Sequence, residues 1–266
     1  PLFANIQSAL LYPLNVLFWI FSFETAWSLL TLLQPLLAGV FMYLYLKSFK
    51  LDNRACFLGS ISFSWCGFMV AWLEWNTIGQ VALWLPLILL SINRITSGFN
   101  KIWIGVFLAA LSLVLLGGHL QTAWYVLILA GLYCIAKVGN AKNWQFKKMI
   151  IIFFPFVFAS GIAILLTSTQ IVPTLQFILL SARNSDLSGW QRADWFLPVV
   201  HLVQFIAPDF FGNPVTGNYW GVWNYGEFVG YIGVIPLIFA FYAVLTRRDK
   251  KTYFYLLMVI LALLFS

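Results

Sequence analysis

The sequence predicts an all-α, polytopic membrane protein with about eight transmembrane helices and a long outer loop that carries interfacial helices. The chain is 62% hydrophobic and only 9% charged, with a mean hydropathy of +0.90, whereas soluble domains are about one quarter charged. Long apolar runs recur along it, and a spanning helix needs about 20 such residues. Lys and Arg cluster in every second loop between these runs, which is typical of cytoplasmic loops.

Eight apolar runs are predicted to cross the membrane, and several of them are shorter than a full span. Pro35, Pro86, Pro155 and Pro236 fall inside these runs, so kinks are expected, because neighbouring groups can satisfy the carbonyl that a proline leaves free. The predicted spans are 25–46, 55–72, 78–92, 102–116, 122–136, 149–167, 228–245 and 252–266. Residues 1–266 together are predicted to form a single transmembrane domain.

The segments between the spans differ in length and are predicted to alternate between the two sides. Residues 1–24 are interpreted as the end of an outer loop lying on the membrane surface, and 168–227 as a long outer loop. Within the long loop, residues 171–180 and 195–206 are mostly apolar and predict interfacial helices. Because the chain begins at Pro1 rather than Met and ends inside an apolar run, we expect it to be a fragment with residues missing at both ends.

The distribution of charge predicts the orientation. Thirteen of the 15 Lys and Arg residues lie in four loops, and the other loops contain six of the eight acidic residues and both histidines. The four loops contain Lys47, Lys50 and Arg54; Arg94 and Lys101; Lys137, Lys142, Lys147 and Lys148; and Arg247, Arg248, Lys250 and Lys251. These loops are predicted to face the cytoplasm, in a bacterial cytoplasmic (inner) membrane. Since the formal charge of +7 is concentrated there, nucleic acid is not predicted as a partner, whereas membrane lipid is.

Cysteine and glycine motifs point to packing rather than chemistry. Cys56, Cys66 and Cys134 lie inside apolar runs without metal-type spacing, so they are interpreted as small buried residues. No phosphate-binding loop, zinc signature or nucleophile elbow is present. No cofactor is therefore predicted, and nothing in the sequence supports a divalent metal. Gly226 and Gly230 form a G-x-x-x-G pattern, whose default meaning is close helix packing.

Arg183 and Arg192 are the two cations of the predicted outer face. An arginine fork fits phosphate oxygens, so Arg183 is a candidate for binding an anionic ligand. The alternative is anchoring to lipid headgroups. Arg192 lies beside Asp194 and has the further alternative of pairing with it.

The predicted turn at 117–121 supplies two more candidates, His119 and Gln121. The spans on either side are short, so the turn is expected to be recessed in a cavity or at the interface. A polar group at such depth is costly without partners. His119 is therefore either a structural cap of the turn or a hydrogen-bonding group of a ligand site.

Three outer acids are weak candidates for a catalytic role. Glu74 lies between tryptophans, where an exposed acid of the interfacial belt is the simpler interpretation. Asp209 has the alternative of capping its own turn, and Glu227 that of balancing a helix dipole. Between the last two, residues 218–226 are rich in aromatic and amide side chains, and Asn213, Tyr219 and Trp220 are candidate substrate-binding residues.

Several segments, taken in order, resemble the YfhO-like bacterial membrane proteins, which are relatives of glycosyltransferases with the GT-C fold. The segments that carry the resemblance are 1–15 (PLFANIQSALLYPLN), 64–69 (SWCGFM), 84–87 (WLPL), 117–121 (GGHLQ), 180–183 (LSAR), 208–213 (PDFFGN) and 227–236 (EFVGYIGVIP). Singly these motifs are weak, and their order makes the match more specific. The resemblance covers most of the chain.

The resemblance implies a GT-C-like enzyme that takes a sugar from a polyprenyl-phosphate carrier. It implies transfer to an envelope glycopolymer or glycolipid on the outer face of the membrane. The main catalytic acid of such folds lies in the first outer loop, which here is expected to precede Pro1. A polytopic transporter or lipid flippase is the alternative, and a structural partner without activity is a third reading. The transferase is favoured because charges lie at the ends of the predicted spans, whereas transporters place ionisable groups near the midplane.

Overall fold

The computed structural model describes residues 2–98, 100–139, 146–181, 196–222 and 224–265, and regular structure within these ranges is helical. The α-helices are α1 Leu17–Ile20, α2 Phe23–Lys47, α3 Asn53–Ser64, α4 Gly67–Ala71, α5 Thr77–Ala82, α6 Leu85–Ser97, α7 Lys101–Leu116, α8 Leu120–Gly139, α9 Phe146–Leu179, α10 Tyr225–Phe228, α11 Val234–Thr246 and α12 Lys250–Phe265. Short 3-10 helices cover Ile6–Ser8, Pro13–Val16, Leu73–Trp75, Val199–Phe205 and Pro214–Thr216. The predicted all-α class is confirmed.

Five helical segments of the described chain are long and apolar enough to cross a membrane. They are Phe23–Lys47, Asn53–Ala71, Thr77–Ser97, Leu120–Gly139 and Phe153–Leu179. The other three predicted spans are also helical, but α7, α11 and α12 contain only 16, 13 and 16 residues. At 1.5 Å per residue these three helices reach about 20–24 Å, less than the ~30 Å of a bilayer's hydrocarbon core.

The α5–α6 segment is the centre of the bundle. Of its apolar window, 83% is buried inside the protein, against 22–39% for the other four candidate spans. It packs against α2, α7 and α8, and Ile88 and Leu90 are almost fully buried. A segment surrounded by protein in this way needs apolar residues on all sides, which explains its continuous hydrophobicity.

Two of the four prolines mark breaks in the predicted spans. Pro86 occupies the first turn of α6 and Pro236 is the third residue of α11, where the missing N–H would have had no intrahelical partner. The chain leaves the α-helical conformation just before each of them, at 83–84 and at 229–233. Pro35 and Pro155 lie inside α2 and α9, which continue past them.

Helix α9 is longer than predicted, and the long loop begins later. The segment 171–180 is not a separate interfacial helix, because α9 continues to Leu179. The polar residues that suggested an end at 167 donate hydrogen bonds within the protein. Thr167 and Thr174 donate to the carbonyls four residues earlier, at 2.8 Å each, and buried Gln170 donates to the carbonyl of Phe3 at 2.7 Å.

The second predicted interfacial helix and the seventh predicted span also differ from the structure. Within 195–206, the chain forms the 3-10 helix Val199–Phe205, while Trp195 lies outside the described residues. Helix α11 begins at Val234 rather than at 228. The short helix Tyr225–Phe228 comes before it and is separated from it by residues 229–233. The G-x-x-x-G pattern therefore does not join two helices: Gly226 packs on Trp72 and Gly230 on the ring of Phe205.

One side of the N-terminal segment packs against the helical bundle. Ala9 and Tyr12 are each only 1% exposed. Trp84 donates its indole N–H to the Tyr12 hydroxyl at 3.0 Å, and Asn15 donates to the carbonyl of Ala9 at 2.8 Å. The place of the segment relative to the membrane surface stays a prediction.

The loops sort to two ends of the bundle as the charge pattern predicts. Lys50, Arg94, Lys137 and Lys251 line one hollow, and we call this the basic end. At the other end, a Cβ atom added to Gly118 would lie 3.0–3.3 Å from Thr77, Ala9 and Ile6, so the N-terminal segment meets two interhelical turns. We call this the acidic end, because Glu74, Asp209 and Glu227 belong to its loops.

Candidate functional site

A set of polar and aromatic side chains surrounds Asp209 at the acidic end; we call Asp209, Asn213, Tyr219, Trp220 and Tyr225 the loop cluster. Oδ1 of Asp209 accepts a hydrogen bond from the Tyr225 hydroxyl at 2.9 Å and another from Nδ2 of Asn213 at 3.1 Å. Oδ2 has no partner among the described residues. The carboxyl is thus fixed in orientation while one oxygen stays available.

The turn that presents Asn213 is held by a second asparagine. Oδ1 of Asn218 accepts from the backbone N–H of Asn213 at 2.9 Å and from the Thr216 hydroxyl at 2.7 Å. Gly212 adopts a φ of +82°, and a Cβ there would come within 2.2 Å of the Asn218 carbonyl oxygen. Only glycine permits this close approach without strain, so Gly212 fixes the turn on which Asn213 lies.

Aromatic rings flank the polar centre of the loop cluster. The rings of Tyr219 and Tyr225 meet edge to face, with centroids 5.5 Å apart, and Trp220 packs against Phe211 at 4.7 Å. Trp220 is nevertheless 67% exposed. An exposed indole supported from behind by another ring offers a flat apolar face to a ligand.

A buried histidine supports the loop cluster from below. His201 is 1% exposed, stacks on Phe211 at 4.3 Å and packs at a tilt against Phe228 at 4.8 Å. Its Nδ1–H donates to Oε1 of Gln204 at 2.6 Å, and Gln204 donates to the carbonyl of Pro208 at 3.0 Å. His201 therefore sets the position of the residue just before Asp209.

The end of the loop is bound directly to the helical bundle at α4. The backbone N–H of Gly67 donates to the carbonyl of Tyr231 at 2.6 Å. A Cβ on Gly67 would lie 2.2 Å from Cγ1 of Val229, so the two chains are in close contact. Gly67 follows the break between α3 and α4, which frees its N–H for this bond.

Two ionisable side chains near the loop cluster have shifted proton affinities. Burial, followed by the hydrogen bond to and charge of Asp209, raises the pKa of Tyr225 to about 12. Glu227 is exposed as a whole residue, yet its carboxyl is partly buried by neighbouring atoms, and this burial raises the pKa of the carboxyl above its ordinary value. Asn224 donates to this carboxyl at 3.3 Å. Tyr225 thus stays a hydrogen-bond donor at neutral pH.

His119 has the geometry of a helix cap. Its Nδ1 accepts the backbone N–H of Thr122 at 3.2 Å and lies 2.8 Å from the Thr122 hydroxyl. Burial lowers the pKa of the imidazole, which favours the neutral ring. Because Nδ1 accepts the N–H of Thr122, the proton of the neutral ring lies on Nε2. The turn is recessed as expected: Gln80 donates to the carbonyl of Gly117 at 2.7 Å, and Ala9 covers Gly118.

The structure does not join all the predicted site residues. Gln121 donates to the hydroxyl of Tyr125 at 2.9 Å on the exposed face of α8, and Glu74 is exposed in its own 3-10 turn. Among the described residues, no hydrogen bond or ring contact connects His119, Gln121 or Glu74 with the loop cluster.

Two further predictions concern Arg183 and metal binding. Arg183 and Arg192 lie outside the described residues, so both stay predictions. Within the described chain, no group of three His, Cys, Asp or Glu residues is arranged to hold a metal ion.

Sequence reasoning missed His201 and Gly67. His201 sits in an apolar run with Gln204 three residues later, and this spacing places two polar side chains on one side of a helix turn. That spacing was a usable signal of a mutually satisfied pair. The contact of Gly67 with Tyr231 bridges distant parts of the chain, and no local pattern indicates it.

Comparison with known proteins identifies a family. The family described as "Bacterial membrane protein YfhO" matches residues 6–266. No curated protein and no solved structure matches the chain. Since the match covers nearly the whole sequence, the chain belongs to the YfhO family of bacterial membrane proteins, and the predicted resemblance is confirmed.

Proposed function

We propose that this YfhO-family protein is a GT-C-type membrane glycosyltransferase with about eight transmembrane helices. It moves a sugar from a polyprenyl-phosphate donor to a glycopolymer or glycolipid of the cell envelope. The reaction takes place on the outer face of the cytoplasmic membrane, at the acidic end of the bundle. The observation that carries the proposal is the Asp209 carboxylate, which has one oxygen held and one oxygen without a partner among the described residues.

The arrangement around Asp209 suits a sugar hydroxyl. Oδ1 is fixed by Tyr225 and Asn213 at 2.9 and 3.1 Å, which orients Oδ2 to accept a hydrogen bond from a hydroxyl group. A carboxylate in this position can orient the acceptor hydroxyl and lower the cost of removing its proton. Glu227, two residues beyond Tyr225, is the second carboxyl of the region.

The aromatic side of the loop cluster suits the sugar ring. The C–H face of a pyranose is apolar, and the exposed indole of Trp220 offers a matching surface in the same loop as the amide of Asn213. Tyr219 meets Tyr225 edge to face at 5.5 Å and keeps that ring in place. Carboxylate, amide and aromatic groups are thus supplied by one loop, which is the combination that recognition of a sugar requires.

The donor's phosphate needs a cation on the same face. In this proposal Arg183 binds the phosphate through its two-pronged guanidinium. His119, with a proton on Nε2, and Gln121 would contact the donor from the α7–α8 turn. The apolar outer surfaces of the spanning helices would contact the polyprenyl chain of the donor.

The positions of charge within the spans favour the transferase over the transporter. Glu24 and Lys47 lie at the two ends of α2, while Arg94 and Lys137 lie in the last turns of α6 and α8. Transporters instead place ionisable groups near the middle of the bilayer. The loop cluster lies at one end of the bundle, where a group can be transferred without moving across.

The test is sugar transfer from a radiolabelled polyprenyl-phosphate sugar in proteoliposomes. Asp209→Asn keeps the shape and, with its amide oxygen accepting from Tyr225, puts an NH2 group at the position of Oδ2. We expect kcat/KM to fall about 10- to 100-fold, since a hydrogen bond to a charged group contributes about 1.5–3 kcal/mol. Arg183→Lys should weaken donor binding, and Arg183→Ala should weaken it further.

A matched control separates these effects from general loss of an acid. Asp52 caps α3 at the basic end, and Asn is an equally good cap, so Asp52→Asn should leave transfer unchanged. Equal transfer by Asp209→Asn and the wild type would remove Asp209 from the site. Movement of intact lipid-linked sugar across the bilayer without transfer would instead support the transporter.

A further inference from the structure

The basic end contains a hollow of about 300 Å³ that is built from four separate segments of the chain. The turn after α2 supplies Ser48, Phe49 and Lys50, and the end of α6 supplies Asn93, Arg94 and Ser97; Lys137 comes from α8 and Lys251 from α12. Ligand sites begin at about this volume. The hollow is too small for a protein segment and large enough for a headgroup.

Four cations border this hollow, and none forms an ion pair with a carboxylate within the described chain. The two acids of the basic end are already engaged as helix caps. Asp52 accepts the backbone N–H of Arg54 at 2.9 Å, and Asp249 accepts those of Lys251 and Thr252 at 2.9 and 3.0 Å. Residues 140–152 contain no acid, so that stretch cannot neutralise the hollow.

The two lysines from α8 and α12 are brought close together. Nζ of Lys137 lies 5.4 Å from the centre of the Phe49 ring, and Nζ of Lys251 lies 5.0 Å from the same centre. Lys137 also lies 5.2 Å from the ring of Tyr133. One aromatic ring shared by two ammonium groups holds like charges near each other, which costs free energy unless an anion lies between them.

The polar wall of the hollow is rigid. Tyr133 donates to Oδ1 of Asn93 at 2.6 Å, and Nδ2 of Asn93 donates to the hydroxyl of Ser48 at 3.1 Å. Because a fixed amide has two N–H groups, Asn93 keeps a second donor beyond the one given to Ser48. Preorganised donors of this kind favour oxygen ligands over bulk water.

Lys50 approaches the hollow from a strained backbone. Its φ is +61°, a left-handed conformation that glycine adopts freely and that costs a side-chain-bearing residue about 1 kcal/mol or more. A lysine at this point of the turn places its ammonium at the hollow. The rule that cytoplasmic loops are basic explains the presence of these cations, but not their convergence around one cavity.

We infer that this hollow, which we call the basic pocket, binds a phosphate group at the depth of the lipid headgroups on the predicted cytoplasmic side. Basic pockets between transmembrane helices on that side are suited to anionic headgroups. The same chemistry would accept a free phosphate from the cytoplasm. The inference concerns the end of the bundle opposite the loop cluster, and it does not depend on the proposed transferase activity.

The test compares two phosphate sources on the purified protein. Native mass spectrometry with phosphatidylglycerol against phosphatidylcholine measures retained lipid, and thermal melting in phosphatidylcholine nanodiscs with inorganic phosphate measures the free anion. We expect Lys137→Gln with Lys251→Gln to weaken the binding of whichever phosphate source binds, by about tenfold or more. Lys101→Gln with Arg248→Gln removes the same charge outside the pocket and should change binding less than twofold.

Charge-preserving variants guard against misfolding. Lys137→Arg with Lys251→Arg should retain binding. If both the glutamine and the arginine variants of these two lysines lose binding and melt at a lower temperature, the lysines serve packing. Preference for phosphatidylglycerol without any effect of phosphate identifies a lipid headgroup, and stabilisation by phosphate identifies a free anion. No preference for either source, or equal losses in the pocket pair and the control pair, would overturn the inference.

Discussion

Tyr225 donates a hydrogen bond to Asp209 at 2.9 Å, across sixteen residues of the same loop. The bond joins the residue at the start of α10 to the turn that begins at Pro208. Tyr225→Phe removes it, along with the weaker contact to Asn213 at 3.5 Å. We expect faster proteolytic cleavage between the two residues, by about twofold to tenfold for a hydrogen bond of about 0.5–1.5 kcal/mol. Tyr253→Phe, at an exposed tyrosine of α12, should cleave like the wild type.

Gly67 and Val229 are in such close contact that a methyl group should disturb the attachment of the loop. In Gly67→Ala the new Cβ would lie 2.2 Å from Cγ1 and 3.1 Å from the carbonyl oxygen of Val229. We expect a loss of about 1–3 kcal/mol from overpacking, measured by thermal unfolding in detergent. Gly105→Ala is the matched control, because no atom lies within 4 Å of its Cβ and alanine favours a helix. Equal melting of the two variants would contradict the observed contact.

Glu227 should make stability depend on pH in a particular direction. Burial raises the pKa of its carboxyl above the ordinary 4.5, so the folded protein binds this proton more tightly than the unfolded chain does. The contribution of this proton to the stability of the fold is fully present below about pH 4.5 and is lost as the pH rises through the folded-state pKa of Glu227. Glu227→Gln should therefore be slightly more stable than the wild type at pH 7 and equally stable at pH 4. Thermal melting at both values tests this, and a stabilisation that is the same at both would refute it.

Tyr12 and Trp84 should be energetically coupled. Tyr12→Phe leaves the indole N–H of Trp84 buried without its partner, at a cost of about 1–3 kcal/mol. Trp84→Phe also removes the donor, so the double variant should lose less than the sum of the two single variants. Unfolding measurements on the four proteins give the coupling directly. Simple additivity would show that the bond contributes nothing to docking of the N-terminal segment.

The charge asymmetry predicts which end of the bundle faces the cytoplasm. Asn218 and Arg248 are both exposed and lie on opposite sides in the predicted topology. An impermeant thiol reagent applied to intact cells should label Asn218→Cys and not Arg248→Cys. The native Cys56 and Cys134 are buried, and the half-buried Cys66 is replaced by serine in the parent protein so that it adds no background. Labelling in the reverse pattern would invert the orientation.

The sequence was sufficient for the all-helical class and for the sorting of loops between two ends. Apolar length identifies α2 and α8, and charge identifies the loops that meet at the basic pocket, because both signals act locally. It was insufficient at the end of α9, where Thr167 and Gln170 resemble loop residues but donate hydrogen bonds to a helix carbonyl and to the carbonyl of Phe3. The bond from Gln170 depends on Phe3, which lies far away in the chain, so no local stretch of sequence indicates it.

The candidate site was predicted as a set of residue types rather than as a constellation. Asp209, Asn213 and Tyr219 were singled out for their chemistry, and the structure brings them together around Tyr225. His119 had two readings, and the bond from Thr122 is that of the structural cap. The convergence of four basic loops on one hollow could not be predicted, because the rule that cytoplasmic loops are basic already explains the positive charge of each loop separately.

The bond between Gly67 and Tyr231 has a mechanical consequence. Helix α11 begins three residues after Tyr231, has no buried residue, and at 13 residues reaches only about 20 Å. In the predicted topology α11 crosses the membrane, and a helix shorter than the hydrocarbon thickness responds to it by pulling on its flanking segments or by thinning the lipid around it. In that topology, tension from a thicker bilayer would reach α4 and the base of the loop through residues 231–233, so that membrane thickness and the geometry around Asp209 would be linked by a tether of three residues.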